Sequence, residues 1–274
     1  MDQLIKEGFQ RRSEVVILEL MVVGIWGLLI GSFLNVCIYR MPQKQSIQFP
    51  ASHCMQCQHP LSPKDLIPIV SYLLLKGRCR YCNRPISKQY PLIEGMNAGA
   101  YMLSIYIMGF NFEGVLGCIF CSLLLVLSLT DWRELLLPTV IIRFGVIVAL
   151  GLRAGYSYWI KDWSYLIEAL IGGLGGYLFL AIVFYLTARF YKKEGMGYGD
   201  VRYLGMIGCF TSWSGVFLTL FISSVMGTLY GFFQMKRKNK STPFPYGPFL
   251  SIGAWVSFFF GTRILKGYLD LMMI

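Results

Sequence analysis

The chain has 274 residues, 55% of them hydrophobic and only 14% charged, and its mean hydropathy is +0.56. Soluble domains carry about a quarter charged residues, so this composition excludes an ordinary globular protein and points to a membrane protein. The formal net charge of +11 then fits loops beside anionic lipid, and nucleic acid is not an expected partner.

Residues 1–15 read as a short flank of mixed charge. The first span is expected at Val15–Ile38. Glu14 lies just before it and Glu19 within it, and no small-x-small cleavage site follows it, so it reads as a retained helix rather than a signal peptide. Residues 40–90 read as a polar insert carrying prolines and two Cys-x-x-Cys pairs. Further apolar runs are expected as spans near 92–109, 114–130, 137–156, 164–188, 201–212, 214–235 and 246–264. The fold expected is an all-α polytopic membrane protein with about eight transmembrane helices and a small zinc-binding cytoplasmic insert. Its parts are 1–38, the flank and first helix; 39–91, the four-cysteine insert; and 92–274, a seven-helix membrane domain.

Sidedness follows from lysine and arginine. Placing the insert in the cytoplasm puts roughly 17 of the 25 basic residues on that side, leaving Arg153, Lys161, Arg263 and Lys266 among the few opposite. The same alternation brings Asp131 and Asp200 to cytoplasmic helix ends, although neither residue entered the count.

Asp131 follows the run Leu123–Leu129 and precedes Pro138. Asp200 closes the glycine-rich turn Gly195-Met196-Gly197-Tyr198-Gly199-Asp200. A carboxylate at a bilayer boundary is costly unless paired or solvated. Two carboxyls held together share a proton, which leaves one as a base toward water. Read singly, each aspartate also fits a helix cap or a headgroup contact. Pro243-Phe244-Pro245-Tyr246-Gly247-Pro248-Phe249 interrupts helix and reads either as a substrate cradle or as a plain helix entry. Gly172-Gly173-Leu174-Gly175-Gly176 reads as a site of close helix packing.

Cys54, Cys57, Cys79 and Cys82 have the chemistry of a closed four-thiolate zinc site, although residues 58–78 make a slightly long separation. A reducing cytoplasm favours metal over disulfides, with free or redox-active thiols as the other reading. His53 and His59 read as surface neighbours of that site. Cys37, Cys118, Cys121 and Cys209 lie in apolar runs and read as packing residues. Asn35, Glu94 and Asn97 lie near cytoplasmic helix ends and read as lining for a second site or as headgroup contacts.

In this order the motifs resemble the type IV prepilin peptidases, the bifunctional leader peptidase/N-methyltransferases. Gly31-Ser32-Phe33-Leu34-Asn35-Val36 with Tyr39-Arg40-Met41-Pro42 is similar to the family's opening motif. Leu66–Tyr72, Gly77–Cys82 and Tyr90-Pro91 with Glu94 resemble its cytoplasmic domain. Asp131 with Pro138, Gly197–Val201 and Pro245–Phe249 resemble its later motifs. The resemblance implies a multi-pass protein of the bacterial cytoplasmic (inner) membrane that works on its cytoplasmic side. It implies an aspartic endopeptidase that cuts the leader from prepilins and pseudopilins and N-methylates the new terminus with S-adenosylmethionine. Asp131 and Asp200 carry over as the catalytic pair and the four cysteines as structural zinc ligands. Asn35, Gly77 and Glu94 are candidates for methyl transfer in the insert. Thr139 stands where the family often has Asp or Asn, and Arg202-Tyr203 where Lys-Leu is common. Readings that compete are a leader peptidase without methyl transfer, a presenilin-like intramembrane aspartic protease and a proton-relay transporter. The residues leave the pilin system and the oligomeric state open.

Overall fold

A computed structural model of the chain describes residues 2–191, 197–238 and 244–272, and the side chains among these except at 2–15, 191, 237 and 238. Gly195, Met196 and Pro243, three members of the motifs above, lie outside the described residues. The described chain is helical, in the order α1 (Asp2–Arg40), α2 (Val70–Leu74), α3 (Gln89–Met108), α4 (Phe112–Glu134), α5 (Thr139–Ile160), α6 (Ser164–Tyr191), α7 (Tyr198–Lys238) and α8 (Gly247–Met272), with a short 3-10 turn at Pro63–Asp65 before α2.

Six of these helices are long and apolar enough to cross a membrane: Val16–Arg40, Phe112–Glu134, Thr139–Ile160, Ser164–Phe190, Tyr198–Lys236 and Gly247–Met272. The eight expected segments correspond to these six, to α3 and to a division of α7. α3 is diluted by Glu94, Asn97 and Ser104, all buried. α7 is two helical stretches joined at a kink at Ser212, whose φ of 68° and ψ of 177° are not helical. That break separates the two runs expected at 201–212 and 214–235.

The chain forms two compact units, Met1–Ser122 and Leu123–Ile274. In the first, α1 and α3 run antiparallel, with Gly31 against Glu94, Gly27 against Ala98 and Gly24 against Met102. Asn97 Nδ2 donates to the Gly27 carbonyl at 2.8 Å, and Ser122 Oγ meets Asn97 Oδ1 at 2.9 Å. Asn97 therefore ties three helices together within this unit and is not a surface contact. Val23, Tyr101, Ile105 and Cys118 close the apolar core beside it.

In the second unit α6 and α7 approach at Gly172 and Gly208, where any Cβ would collide with the facing backbone. This is the close packing expected of the glycine-rich run. Arg153, counted above among the few basic residues opposite the insert, is 6% exposed within α5. Its Nη2 donates to the Phe210 carbonyl at 2.7 Å. That carbonyl lies two residues before the break at Ser212, and a buried guanidinium donates to it.

Candidate active site

Asp131 lies in the last turn of α4 and Asp200 in the first turn of α7, at 6% and 7% exposure. Both belong to the second unit. Tyr203, three residues after Asp200, is fully buried, and its hydroxyl meets Ser251 Oγ at 2.7 Å. Of the glycine turn, Gly197 and Gly199 are described: the Asp200 N–H donates to the Gly197 carbonyl at 3.1 Å, and Gly199 packs against Leu137.

The proline motif supplies the third part. Residues 244–246 are not helical, and the N–H groups of Phe249 and Leu250 donate to the Tyr246 carbonyl. Tyr246 is thus the cap of α8, with Gly247 and Pro248 in its first two helical positions. The first N–H groups of a helix have no partner within it, and proline at such a position sacrifices nothing. The Gly247 N–H is spent on Asp131, donating to Oδ2 at 2.7 Å. The positive end of α8 therefore faces a buried carboxylate. A side chain at 247 has no room, because its Cβ would lie 2.7 Å from the same Oδ2. The other face of Gly247 is also held: Ser251 Oγ donates to its carbonyl at 2.8 Å and meets the Tyr203 hydroxyl at 2.7 Å. The motif cradles the candidate acid itself.

The residues that depart from the family pattern are partnered here. Arg202 Nη1 donates to Thr139 Oγ1 at 3.0 Å and its guanidinium lies 4.7 Å over the Tyr198 ring. Tyr203 holds Ser251.

The four cysteines converge in the first unit. Their sulfurs all lie within 4.8 Å of one another, with Cys54 and Cys82 at 3.8 Å. Four Zn–S bonds of about 2.3 Å in a tetrahedron put the sulfurs roughly 3.8 Å apart, so the cluster fits a structural zinc ion. The two halves are built alike. Cys54 N–H donates to the His59 carbonyl and Gln58 N–H to Cys54; Cys79 N–H donates to the Arg84 carbonyl and Asn83 N–H to Cys79. Gln58 and Asn83 both have positive φ, 57° and 58°. The repeated pattern Cys-x-x-Cys, amide residue, basic residue, proline (54–60 and 79–85) is the signal that marks two equivalent metal-binding turns. Backbone N–H groups of Cys57 and Gln56 and the neighbouring thiols outweigh burial and bring the Cys54 thiol down to about 6, which favours a metal-ready thiolate. His59 stacks on Tyr81 at 3.8 Å and His53 Nδ1 lies 3.0 Å from the Ala51 carbonyl; neither joins the cluster. Asp65 clamps the insert, taking Arg80 Nε at 2.7 Å, Ser62 Oγ at 2.8 Å and the Tyr81 hydroxyl at 3.0 Å.

Beside the cluster lies a cavity of about 890 Å³ lined by Asn35, Tyr39, Arg40, Tyr72, Cys79 and Glu94, among others. That volume suits a cofactor-sized ligand. Asn35 Nδ2 donates to the Tyr90 carbonyl at 3.2 Å, and Glu94 Oε2 accepts the Ile69 N–H at 2.8 Å. Gly77 is buried and does not line the cavity; with φ of 69° it turns the chain behind the Tyr72 ring.

Residues 118–232 match the type IV leader peptidase family, and residues 25–108 match the bacterial peptidase A24 N-terminal domain. The chain is 35% identical to the prepilin leader peptidase/N-methyltransferase of Pseudomonas putida, over 90% of this chain and 93% of that one. It is 35% identical to that of Pseudomonas aeruginosa (89% and 91%) and 31% identical to that of Dichelobacter nodosus (92% and 96%). The chain belongs to the type IV leader peptidase family. No solved structure matches it significantly.

As a member of that family it is a multi-pass membrane protein. The N-terminal match holds the cysteine cluster and most of the cavity wall, and the leader peptidase match holds both aspartates. Tyr203 and Ser251 escaped the sequence reading as site residues, and Gly247 entered it only as a member of the proline motif. Only the glycine, set between an aromatic residue and a proline, left a visible trace.

Proposed function

We propose that this leader peptidase family member cleaves the short leader from prepilins and pseudopilins with Asp131 and Asp200 and then N-methylates the exposed residue. The observation that carries the reading is geometric: Asp131 and Asp200 are both buried in one unit, Asp131 is fixed by the Gly247 N–H at 2.7 Å, and Tyr203, three residues after Asp200, is bonded to Ser251, which holds the same glycine. An aspartic mechanism needs a shared proton and a positioned water. One carboxylate takes a proton from the water that attacks the scissile carbonyl, and its protonated partner donates to the departing amide nitrogen. Gly247 occupies Oδ2 of Asp131 and leaves Oδ1 for the water. The acids sit at helix ends, where an apolar substrate helix in the bilayer would present a bond at its polar boundary. The excess of basic residues in the insert supports a cytoplasmic site at the inner membrane.

The four cysteines would hold zinc as a structural ion, with no open position for catalysis. Asn35, Tyr72 and Glu94 in the neighbouring cavity would hold S-adenosylmethionine and the acceptor amine, with Gly77 shaping the wall behind Tyr72. The cofactor supplies the methyl group when bound. Glu94 provides an anionic oxygen next to a cationic ligand, and Asn35 orients by hydrogen bonding. The names of the relatives support the pairing of both activities in one chain.

The test is co-expression with a prepilin, followed by intact mass of the pilin. Wild type should give a pilin that lacks its leader and carries one methyl group. Asp131→Asn and Asp200→Asn should each leave the leader in place while the protein inserts and keeps its zinc. Full cleavage by either variant ends the dyad reading. A processed but unmethylated pilin would leave a peptidase alone.

A further inference from the structure

The insert read as polar from the sequence contains an apolar face that nothing in the described chain covers. Ile67, Val70, Leu73 and Leu74 are 47%, 48%, 66% and 78% exposed. The spacing of Val70, Leu73 and Leu74 puts them on one side of α2, and Ile67 is bare in the turn before it. The opposite side of the same segment, Ser71, Tyr72 and Leu75, lines the cavity. α2 is therefore a thin wall with a ligand-sized space on one side and an unpartnered leucine-rich surface on the other.

Its depth is set by contacts within the first unit. Ile69, immediately before α2, places its Cδ1 3.8 Å from where a side chain at Gly95 would begin, and gives its N–H to Glu94. Glu94 in turn lies against Gly31 of α1. From Gly31, α1 runs on for nine residues to Arg40, about 14 Å further toward the insert at 1.5 Å per residue. α2 therefore sits at the level of the membrane-crossing part of α1. Leu92 and Met96 on the same turns of α3 are exposed as well, at 61% and 48%. Ile69 reaches this position with φ of 58°, a conformation β-branched residues avoid. The Glu94 bond holds a strained residue whose consequence is the outward aim of Val70, Leu73 and Leu74.

The charge around the face matches one partner. Between Met41 and Lys88 the chain has seven lysines and arginines and one acidic residue, Asp65, which is bound to Arg80. Lys64 and Lys76 bracket the apolar face and are exposed. An apolar face at membrane depth with cations at its edges has the composition of an interfacial helix on anionic lipid.

We infer that the 67–74 segment lies in the headgroup region of the bilayer as an interfacial anchor, with its leucines in acyl chains and its lysines on anionic phosphates. The inference rests on the membrane-crossing helices and not on the proposed enzymology. It gives the insert a third attachment to the membrane besides α1 and α3. It also fixes one wall of the cavity at the height where a chain emerging from lipid would meet it.

The test uses the full chain in proteoliposomes of phosphatidylethanolamine and phosphatidylglycerol, with the photoreactive residue benzoylphenylalanine replacing Leu74 or, separately, Leu73. Phe221, 69% exposed on α7, serves as the lipid-facing control and Arg84 as the insert control. Zinc content verifies that each variant is folded. Lipid adducts by intact mass should form at Leu74 and Leu73 at yields near those of Phe221 and at least about fivefold above Arg84. Labelling at the Arg84 level, or adducts to protein, either the second unit or another copy of the chain, would overturn the inference.

Discussion

Replacing Gly247 with alanine adds one methyl group 2.7 Å from Asp131 Oδ2 and 3.1 Å from its Cβ and Cγ. An ordinary contact needs 3.4 Å or more, so carboxylate and loop must separate by about half an ångström or more. Asp131 is buried on a regular helix and Gly247 is held by Ser251, so neither yields freely. The 2.7 Å N–H···Oδ2 bond is the casualty. Hydrogen bonds to charged groups contribute about 1.5–3 kcal/mol, and about 1.4 kcal/mol is a factor of ten in rate. Leader cleavage should therefore fall about 10–100-fold, in line with what small misplacements of catalytic groups cost. The assay is cleavage of a leader-bearing peptide by the reconstituted protein, read by mass. Gly151→Ala, where an added Cβ meets nothing within 4 Å, is the matched control and should stay within about twofold. Methylation of a peptide that already lacks its leader should be unchanged in both, since its candidate residues lie in the other unit. Cleavage by Gly247→Ala within twofold of wild type would refute the role given to the Gly247 N–H.

Three further outcomes are expected. Cys79→Ser should strip the metal: outer-shell partners alone are worth about 10–100-fold in affinity, so loss of a buried thiolate should exceed that, measured as zinc per chain after dialysis. Glu94→Gln keeps an oxygen for the Ile69 N–H and removes the charge. It should lower methyl transfer at least about tenfold while cleavage stays near wild type, read on one pilin by intact mass. Gln58→Asn puts at a positive-φ position the residue type already found at its counterpart Asn83. It should stabilise the metal turn by about 0.5 kcal/mol, seen as roughly a twofold rise in the chelator concentration that removes half of the zinc.

Local pattern made much of this protein legible. Uninterrupted apolar runs dictate helices in lipid, because only a helix satisfies its own backbone there, and the runs located every long helix and the break near Ser212. Two acids at the ends of apolar runs and four cysteines in two pairs stood out because each is expensive or reactive in such surroundings. The repeat of the metal turns was present in the letters too. What sequence could not supply was partnership across distance. Asp131 takes its hydrogen bond from a residue 116 positions away, and Arg153 answers a carbonyl 57 positions away. Asn35 and Glu94 share a cavity while Gly77 stands behind its wall. Leu66-Ile67-Pro68-Ile69-Val70-Ser71-Tyr72-Leu73-Leu74-Leu75 is apolar almost throughout, so its composition cannot say which side meets the cavity and which is left bare. Periodicity along a chain reports what each residue's own backbone prefers; which groups face each other is decided by how finished helices pack, and that exists only in three dimensions.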